Sequence, residues 1–304
     1  MTAIDVLVVG GDGAIGAALS RTLLASGASV HAATRRPGLA GPERPLVDLG
    51  DAAWPSLKRV TYASAVLAGG ATGIAACNAD PDGTWRINVD GADRLARMLT
   101  GRGTQVILLS TSHVFDGRLR LPLPSDPVSP TDAYGRQRVE AERRILGLAG
   151  GAVLRLAKVL TPSLPVLDTW RRELLAGRPI APFSDRYLAP VSMAQVCEVL
   201  DRMRRRRATG IWQLSASRDI SYAELALVLV DRLRADRSLV RPALQPESMG
   251  EGTAGPRFTA FDLSRLTDEL GLPAPDPLEV AAGVVEELVG QPGSIMTELK
   301  EDRL

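Results

Sequence analysis

Tyr134 and Arg138 stand four residues apart at the start of a helical pattern that follows Pro130. Side chains at this spacing lie one turn apart on the same face of a helix. A tyrosine becomes a useful proton donor near neutral pH only when a nearby cation lowers its pKa, and Arg138 can supply that charge. A guanidinium does not itself release a proton. The pair therefore predicts proton transfer by Tyr134, against the alternative of an exposed tyrosine and arginine on an amphipathic helix.

Three hydroxyls and an imidazole follow a buried apolar run that ends at Leu109. They belong to Ser110, Thr111, Ser112 and His113. Open α/β folds bind ligands at the carboxyl ends of their strands, so these hydroxyls are expected to hydrogen-bond a substrate carbonyl. His113 is a rival general acid, but the sequence shows no acid partner for it. We expect His113 to pack or, with Ser112, to contact the substrate.

A glycine-rich turn joins the first predicted strand to the first predicted helix. It runs Gly10-Gly11-Asp12-Gly13-Ala14-Ile15-Gly16. Gly10 and Gly13 let the backbone turn tightly and approach a pyrophosphate, while Gly16 lets the helix and strand pack closely. Ala14 and Ile15 begin the helix, whose N-terminus favours the negative charge. The turn therefore predicts a dinucleotide site, against the alternative of a glycine-rich turn without a ligand.

Positive charge follows the second predicted strand, where Arg35 and Arg36 stand after Thr34. A dinucleotide site selective for NAD needs a carboxylate at this point, whereas a site selective for NADP needs cations for the 2′-phosphate. Arginine suits bidentate recognition of phosphate, so NADP(H) is the expected cofactor. Asp48 is a candidate acceptor for the adenine amino group, with a turn-capping role as its alternative.

Small residues follow the third predicted strand as Ala68, Gly69 and Gly70. They would let the cofactor lie against the backbone, and a flexible loop is the competing interpretation. Asn88 lies within a helical pattern where an amide is otherwise out of place. We expect its side chain to hold the backbone of the neighbouring strand.

The elements that must position these residues are predicted from hydrophobic periodicity. Apolar runs alternate with helical patterns in the order expected of βαβ units. The fold class is therefore predicted as α/β, a Rossmann doubly wound parallel sheet with a smaller C-terminal α/β domain. The predicted strands and helices are Asp5–Val9, Ile15–Ala25, Ser29–Ala33, Ala63–Leu67, Thr84–Leu99, Gln105–Leu109, Tyr134–Leu148 and Ala152–Leu156.

Two domains are expected along the chain of 304 residues. Residues 1–160 are assigned to the NADP-binding domain, and residues 161–304 mainly to the second domain. Prolines punctuate the chain after Val159, which loosens the pattern there. The segment Gly210–Ser215 again has the composition of a buried strand. Residues 184–216 are therefore expected to return to the first sheet.

Composition excludes several classes of protein. The formal net charge is +1, which favours neither nucleic acid nor an anionic membrane as a partner. No signal peptide or membrane anchor is recognisable near the first strand, so we expect a cytoplasmic protein. Cys77 and Cys197 are far apart and there are only two histidines, so no metal site is expected.

Taken in order, these motifs resemble the extended short-chain dehydrogenases, most closely the dTDP-4-dehydrorhamnose reductase branch of RmlD-like sugar-nucleotide-binding proteins. The ordered set is specific even though each piece alone is not. Where the superfamily has a catalytic lysine, this chain has Arg138. The similarity covers nearly the whole chain and is carried by Gly10–Gly16, Ser110–Gly117, Tyr134–Arg138, Glu142 and Asp185–Val191.

The resemblance implies a Rossmann domain that carries NADP(H) and a C-terminal domain that holds a sugar nucleotide. It further implies reduction of a 4-keto group by hydride transfer. Carried over by position, Thr111 polarises the carbonyl, Tyr134 protonates its oxygen, and Arg138 occupies the place of the lysine. Helices of this class often pair across a two-fold axis, so a homodimer is a candidate assembly.

We therefore expect an NADP(H)-dependent short-chain reductase or epimerase that acts on a nucleotide-linked keto-sugar or a similar small carbonyl. Ser112 and His113 depart from the reductase motif, and a sugar-nucleotide enzyme of another pathway fits equally well. Two alternatives stay open. Arg138 favours a catalytically impaired NADP-binding regulatory or partner subunit. A redox-neutral epimerase or dehydratase would form product without a net change in cofactor absorbance.

Overall fold

The computed structural model describes residues 2–246 and 256–290. Its strands are β1 (Thr2–Val9), β2 (Val30–Ala33), β3 (Val60–Leu67), β4 (Gln105–Thr111), β5 (Gly151–Leu156), β6 (Tyr187–Leu188), β7 (Gly210–Leu214) and β8 (Ile220–Ser221). Six of them form a parallel sheet in the order β2-β1-β3-β4-β5-β7. The predicted Rossmann α/β fold is confirmed.

Helices cover both faces of this sheet. They are α1 (Ala14–Ala25), α2 (Ile74–Ala79), α3 (Pro81–Trp85), α4 (Ala92–Thr100), α5 (Ala133–Leu146), α6 (Pro165–Leu175), α7 (Met193–Arg205), α8 (Tyr222–Leu233), α9 (Ser264–Leu270) and α10 (Pro277–Gly290). Helices α1, α7 and α9 pack on one face, and α4 and α5 pack on the other. None of the helices in the described ranges is long and apolar enough to cross a membrane.

Burial on both faces explains why the inner strands are nearly continuous apolar runs. Every residue of β4 and β5 is buried. Leu154 and Leu156 of β5 belong to the core under α7, whereas Val153 belongs to the core under α5. This alternation decides which side chains can reach the carboxyl edge of the sheet and which point into a covered face.

One predicted helix differs from the structure. The single helix expected at Thr84–Leu99 is instead α3, a π-helical turn at Arg86–Gly91, and α4. A Cβ on Gly91 would collide with the Leu49 carbonyl oxygen, so the chain passes very close to its neighbour there. The wider turn also places Asn88 in the interior, at 1% exposure. Such turns are frequent at functional sites.

The C-terminal part of the chain builds a second core. Strand β6 pairs antiparallel with β8, and α6, α8 and α10 pack around them. Before α8 begins, the chain returns to the large sheet, where β7 pairs with β5. The two parts are therefore interleaved along the sequence.

The strand order creates a crevice at one edge of the sheet. Beyond β1 the chain passes to β2 on one side, whereas beyond β3 it passes to β4 on the other side. Open α/β folds bind ligands at such a reversal, outside the carboxyl ends of the strands. The glycine turn, the loop after β3 and the end of β4 all lie along this edge.

Candidate functional site

The glycine turn between β1 and α1 lies against the loop that follows β3. Gly10 has a φ of +85°, which favours glycine, and a Cβ there would lie 2.6 Å from the Gly69 nitrogen. A Cβ on Gly16 would collide with the Gly10 carbonyl oxygen. Gly13 donates its N–H to that same oxygen at 2.9 Å. These close approaches leave a surface free of side chains, as a pyrophosphate requires.

The N-terminus of α1 faces this turn without a side-chain cap. Gly13 occupies the cap position and contributes no side-chain hydrogen bond. Ala14 and Ile15 follow as the first helical residues, whose amides have no partner within the helix. Free amides at the positive end of a helix fit the charge and geometry of a dinucleotide phosphate.

Charged side chains gather beyond the carboxyl end of β2. Thr34 is buried and donates its hydroxyl to Asp12 at 2.5 Å. Arg44 forms an ion pair with the same carboxylate. Arg35 and Arg36 are exposed, and neither guanidinium has a partner among the described residues. The cluster thus carries three cations and one anion, which suits a phosphate ligand.

Asp48 is engaged in a turn. Its Oδ1 accepts the Gly50 N–H at 2.8 Å, and its carbonyl accepts the Trp54 indole N–H at 2.7 Å. This arrangement matches the turn-capping alternative. A contact between Asp48 and adenine stays a prediction.

The loop after β3 is held by Asn88. Its Oδ1 accepts the Ala71 N–H and its Nδ2 donates to the Ala71 carbonyl, both at 2.8 Å. Asn88 was predicted to hold the backbone of the neighbouring strand, and the backbone that it holds is instead that of the loop after β3. Ala68 and Gly69 are half-buried, whereas Gly70 is exposed with a φ of +139°. A fixed loop of small residues would form one wall of a cofactor site.

The end of β4 brings Thr111 to the crevice but not Ser110. Thr111 is 9% exposed, and its Oγ1 accepts the His113 N–H at 3.3 Å. The hydroxyl hydrogen of Thr111 stays available for a ligand. Ser112 follows in a 3₁₀ turn and is buried. The expectation for Ser110 is wrong, because alternation along the strand turns it to the other face, where it donates to Glu142.

Tyr134 and Arg138 meet at the start of α5. The Arg138 guanidinium carbon lies 5.1 Å from the centre of the Tyr134 ring. Arg138 is 3% exposed and donates from Nη1 to the Leu109 carbonyl at 3.3 Å, while its Nε is buried without a partner. A Cβ on Gly70 would lie 3.2 Å from its Nη2. The cation therefore stands between the phenol and the loop after β3.

An acid partner for His113 was not predicted from the sequence. Asp132 caps α5 by accepting the Gly135 N–H at 2.7 Å, and its other oxygen lies 2.7 Å from the Nδ1 of His113. The imidazole also packs against Tyr134, with ring centres 6.0 Å apart. An aspartate directly before a helix was a visible cap signal. Its contact with a histidine at position 113 depends on the fold.

A buried ion pair between β5 and α5 lies next to the loop that joins β4 to α5. Arg155 on β5 contacts Glu142 on α5 at 2.8 Å, and both side chains are at least 96% buried. Arg155 also donates to the Pro124 carbonyl at 3.4 Å. Gln213 on β7 donates to the Pro122 carbonyl at 2.8 Å. The bonds to Pro122 and Pro124 tie the loop between β4 and α5 to two strands of the Rossmann sheet, β5 and β7.

Cations and aromatic rings line the second part of the chain beside this loop. The Arg120 guanidinium carbon lies 3.9 Å from the centre of the Phe258 ring, and Tyr187 packs on the same ring at 5.5 Å. Lys158 follows the carboxyl end of β5. Desolvation lowers the pKa of Lys158, and the nearby charge of Arg186 lowers it further. None of these residues was predicted as a ligand from the sequence.

A cavity lies outside the crevice, and the described residues offer no metal site. Among residues 2–246 and 256–290, no cluster of three or more histidine, cysteine, aspartate or glutamate side chains could hold a metal ion. A cavity of about 530 Å³ lies between α7 and α10. None of the predicted site residues lines this cavity, so it is separate from the candidate site.

The parallel sheet, the glycine turn at β1 and the pairing of Arg138 with the Tyr134 ring define a Rossmann-type protein of the extended short-chain dehydrogenase class. A comparison with known families narrows this assignment. The sequence model described as "RmlD substrate binding domain" matches residues 4–288, and the chain belongs to that family. The family predicted from the sequence motifs is confirmed.

Curated relatives of two kinds are similar to the chain. The dTDP-4-keto-6-deoxy-D-glucose reductase of Streptomyces niveus is 26% identical over 179 residues, covering 58% of this chain and 62% of the relative. Methionine adenosyltransferase 2 subunit beta of Bos taurus is 28% identical over 222 residues, covering 68% and 64%. The chain thus spans less than two thirds of the length of these relatives.

Among solved structures, a dTDP-4-dehydrorhamnose reductase from Bacillus anthracis in complex with NADP superimposes with a TM-score of 0.77. The match covers 94% of this chain and 99% of that chain at 16% identity. A likeness at this identity establishes the shared fold.

Proposed function

We propose that the protein is an NADP(H)-dependent reductase of a keto group on a nucleotide-linked sugar. The observation that carries this proposal is the position of Arg138 between the Tyr134 ring and Gly70, beside the Thr111 strand. A proton donor, a cation and a hydroxyl then share the edge of the sheet where the glycine turn accepts a dinucleotide. The reductase and NADP-bound relatives support this interpretation.

Each side chain has a distinct role in the proposed reaction. The nicotinamide supplies the hydride when the cofactor is bound. Thr111 donates its hydroxyl hydrogen to the substrate carbonyl, and Tyr134 donates its proton to the same oxygen as negative charge develops there. The hydroxyl of Tyr134 has no hydrogen-bond partner among the described residues, so it is free to reach a substrate. The fixed charge of Arg138 stabilises the phenolate that remains.

The preference for NADP(H) follows from the cations beyond β2. Arg35 and Arg36 are unpaired within the described chain, so binding a phosphate breaks no protein contact. Arg44 neutralises Asp12, the carboxylate that would otherwise repel the 2′-phosphate. The arginines therefore favour NADPH over NADH.

Replacing Arg35 or Arg36 by serine is expected to weaken NADPH binding by about tenfold to hundredfold, because a hydrogen bond to a charged group contributes about 1.5–3 kcal/mol. The affinity for NADH should change by less than about threefold. Fluorescence titration of both cofactors measures the two constants. Arg172→Ser, an exposed arginine on α6, is the matched control. Equal loss of NADPH and NADH affinity would contradict a role in phosphate recognition.

The nucleotide sugar is proposed to bind between the loop after β4 and the second core. Arg120 and Tyr187 flank the Phe258 ring, and Arg186 lies beside Lys158. Aromatic faces accept a base by stacking, and arginines bind diphosphate. A similar small carbonyl without the nucleotide would leave these groups unused.

The experiment that tests the function is NADPH oxidation by the purified protein with a panel of nucleotide-linked 4-keto-6-deoxy sugars. NADPH binding is measured on the same sample. Consumption of NADPH with formation of the reduced sugar supports the reductase. Binding without consumption counts against it. Product formed without a net change in absorbance would instead indicate an epimerase or dehydratase.

A second candidate function is an NADP-binding partner subunit without its own catalysis. Arg138 favours it, because the guanidinium is bonded to the Leu109 carbonyl and cannot pass on a proton as lysine does. The similarity to methionine adenosyltransferase 2 subunit beta supports the same candidate.

Arg138→Lys separates the two candidates. In a reductase we expect kcat to rise by about tenfold or more, because an ammonium supplies the same charge and can exchange its proton. Arg138→Met, which removes the charge, should lower kcat below that of the unmodified protein. In a partner subunit neither variant consumes NADPH. Steady-state kinetics with the same sugar panel decide between these outcomes.

A further inference from the structure

His113 and Asp132 form a pair that neither the family motifs nor the sequence spacing predicts. The Nδ1 of His113 lies 2.7 Å from the Oδ2 of Asp132, and the Asp132 side chain is 2% exposed. Burial raises the pKa of Asp132, but the hydrogen bonds from His113 and the Gly135 amide outweigh it, and the net pKa is lowered. The carboxylate is therefore ionised at neutral pH and can only accept hydrogen bonds.

This contact determines which edge of the imidazole is available. Because the carboxylate only accepts, Nδ1 of His113 carries a hydrogen and points at Asp132. Nε2 has no partner among the described residues, and the side chain is 18% exposed. The ring packs edge-on against Tyr134 at an interplanar angle of 65°. The imidazole therefore lies beside the ring of the proposed proton donor.

In the proposed reaction Tyr134 loses a proton that Arg138 cannot replace. Each reduction takes one proton from Tyr134, and the phenolate must regain it before the next turnover. A lysine can exchange a proton with its surroundings, whereas a guanidinium stays protonated throughout. The titratable ring that packs against Tyr134 is the imidazole of His113.

We infer that His113, oriented by Asp132, returns this proton to Tyr134. The inference rests on the proposed reductase function. During reduction the carbonyl carbon gains the hydride and its oxygen gains the Tyr134 proton. The phenolate then takes the Nε2 proton of the His113 imidazolium. The neutral imidazole keeps its Nδ1 hydrogen on Asp132 and regains the other proton from water. Asp132 acts as a positioning residue.

The other ionisable groups near the pair do not offer the same route. Burial raises the pKa of the Cys77 thiol, which keeps it protonated. Arg136 is exposed and donates to the Thr131 carbonyl, and it holds its proton as Arg138 does. Of the charged and titratable groups near the pair, Tyr134 packs on the imidazole, Arg136 and Cys77 interact with the charge of Asp132, and Arg138 faces the Tyr134 ring.

The test is the pH profile of kcat for NADPH-dependent reduction. In the unmodified protein we expect kcat to fall as pH rises, because the neutral ring has no Nε2 proton to give. His113→Gln should lose this limb and lower kcat by about 10²-fold, with KM for both substrates changed by less than about threefold. Added imidazole should restore part of the activity of His113→Ala.

A second variant guards against misfolding. Asp132→Asn keeps a residue that caps helices well but does not stabilise an imidazolium, so the pH limb should move to lower pH and kcat near neutral pH should fall, with NADPH affinity retained. If the protein reduces a sugar but both variants keep the limb and kcat, the relay is wrong and the reductase stands. If no NADPH is consumed at any pH, the reductase and the relay fall together.

Discussion

Replacing Tyr134 by phenylalanine is expected to lower kcat for carbonyl reduction by about 10²–10⁴-fold. The variant keeps the ring that packs on His113 and faces the Arg138 charge, and it loses only the proton donor. NADPH affinity should therefore change by less than about twofold. Stopped-flow or steady-state absorbance measures kcat, and fluorescence titration of NADPH measures the affinity.

Tyr62→Phe is the matched control for this prediction. Tyr62 lies near the amino end of β3, away from the crevice, and its hydroxyl contacts His31 at 2.9 Å. Burial raises the pKa of Tyr62 to about 12, so it is not poised for proton transfer near neutral pH. The kcat of Tyr62→Phe should stay within about twofold of the kcat of the unmodified protein. Full activity in Tyr134→Phe would mean that the proton comes from elsewhere, and the proposed mechanism would have to be abandoned.

The largest effect on stability is expected from the buried ion pair between Arg155 and Glu142. Arg155→Met leaves Glu142 buried without its counter-charge, a change that costs about 3–5 kcal/mol in other buried pairs. Arg155 contacts Glu142 through Nε and Nη2 and the Pro124 carbonyl through Nη1, so the loop after β4 should also loosen. Urea denaturation followed by tryptophan fluorescence measures the free energy of unfolding.

Two further variants show whether the lost free energy comes from an unpaired charge. The double variant Arg155→Met with Glu142→Met removes both charges and should recover most of the about 3–5 kcal/mol lost in Arg155→Met alone. Arg97→Ala breaks an exposed pair with Asp93 on α4 and should cost less than about 1 kcal/mol. A cost for Arg155→Met as small as that of Arg97→Ala would show that the pair is not energetically important.

Local patterns predicted the parts of the site that are contiguous in sequence. The spacing of Tyr134 and Arg138 within one helix put both on one face, and the glycine turn was recognised from its position between strand and helix. The alternation of side chains along β4 could also have been predicted. Grouping Ser110 with Thr111 ignored that neighbouring residues of a strand face opposite sides of the sheet. That error was avoidable from the sequence.

Contacts between distant elements could not be predicted in this way. Asp132 and His113 are separated by 19 residues, and their contact depends on how the loop after β4 folds back to the start of α5. The pairing of Glu142 with Arg155 likewise requires α5 to cross β5 at one height. The π-helical turn at Arg86–Gly91 arises from close passage beside Leu49, which periodicity within a single segment does not reveal.

The return of β7 to the large sheet bears on how the chain is made. Until Leu214 has left the ribosome, β5 has no neighbour on its outer side, and its unpaired amides and carbonyls form an open edge. While α6 and α7 are being synthesised, the sheet of the nascent N-terminal half therefore lacks its last strand. During that time its open edge can pair with other chains. A recombinant fragment ended at residue 160 would keep that edge permanently, and we expect such a fragment to aggregate.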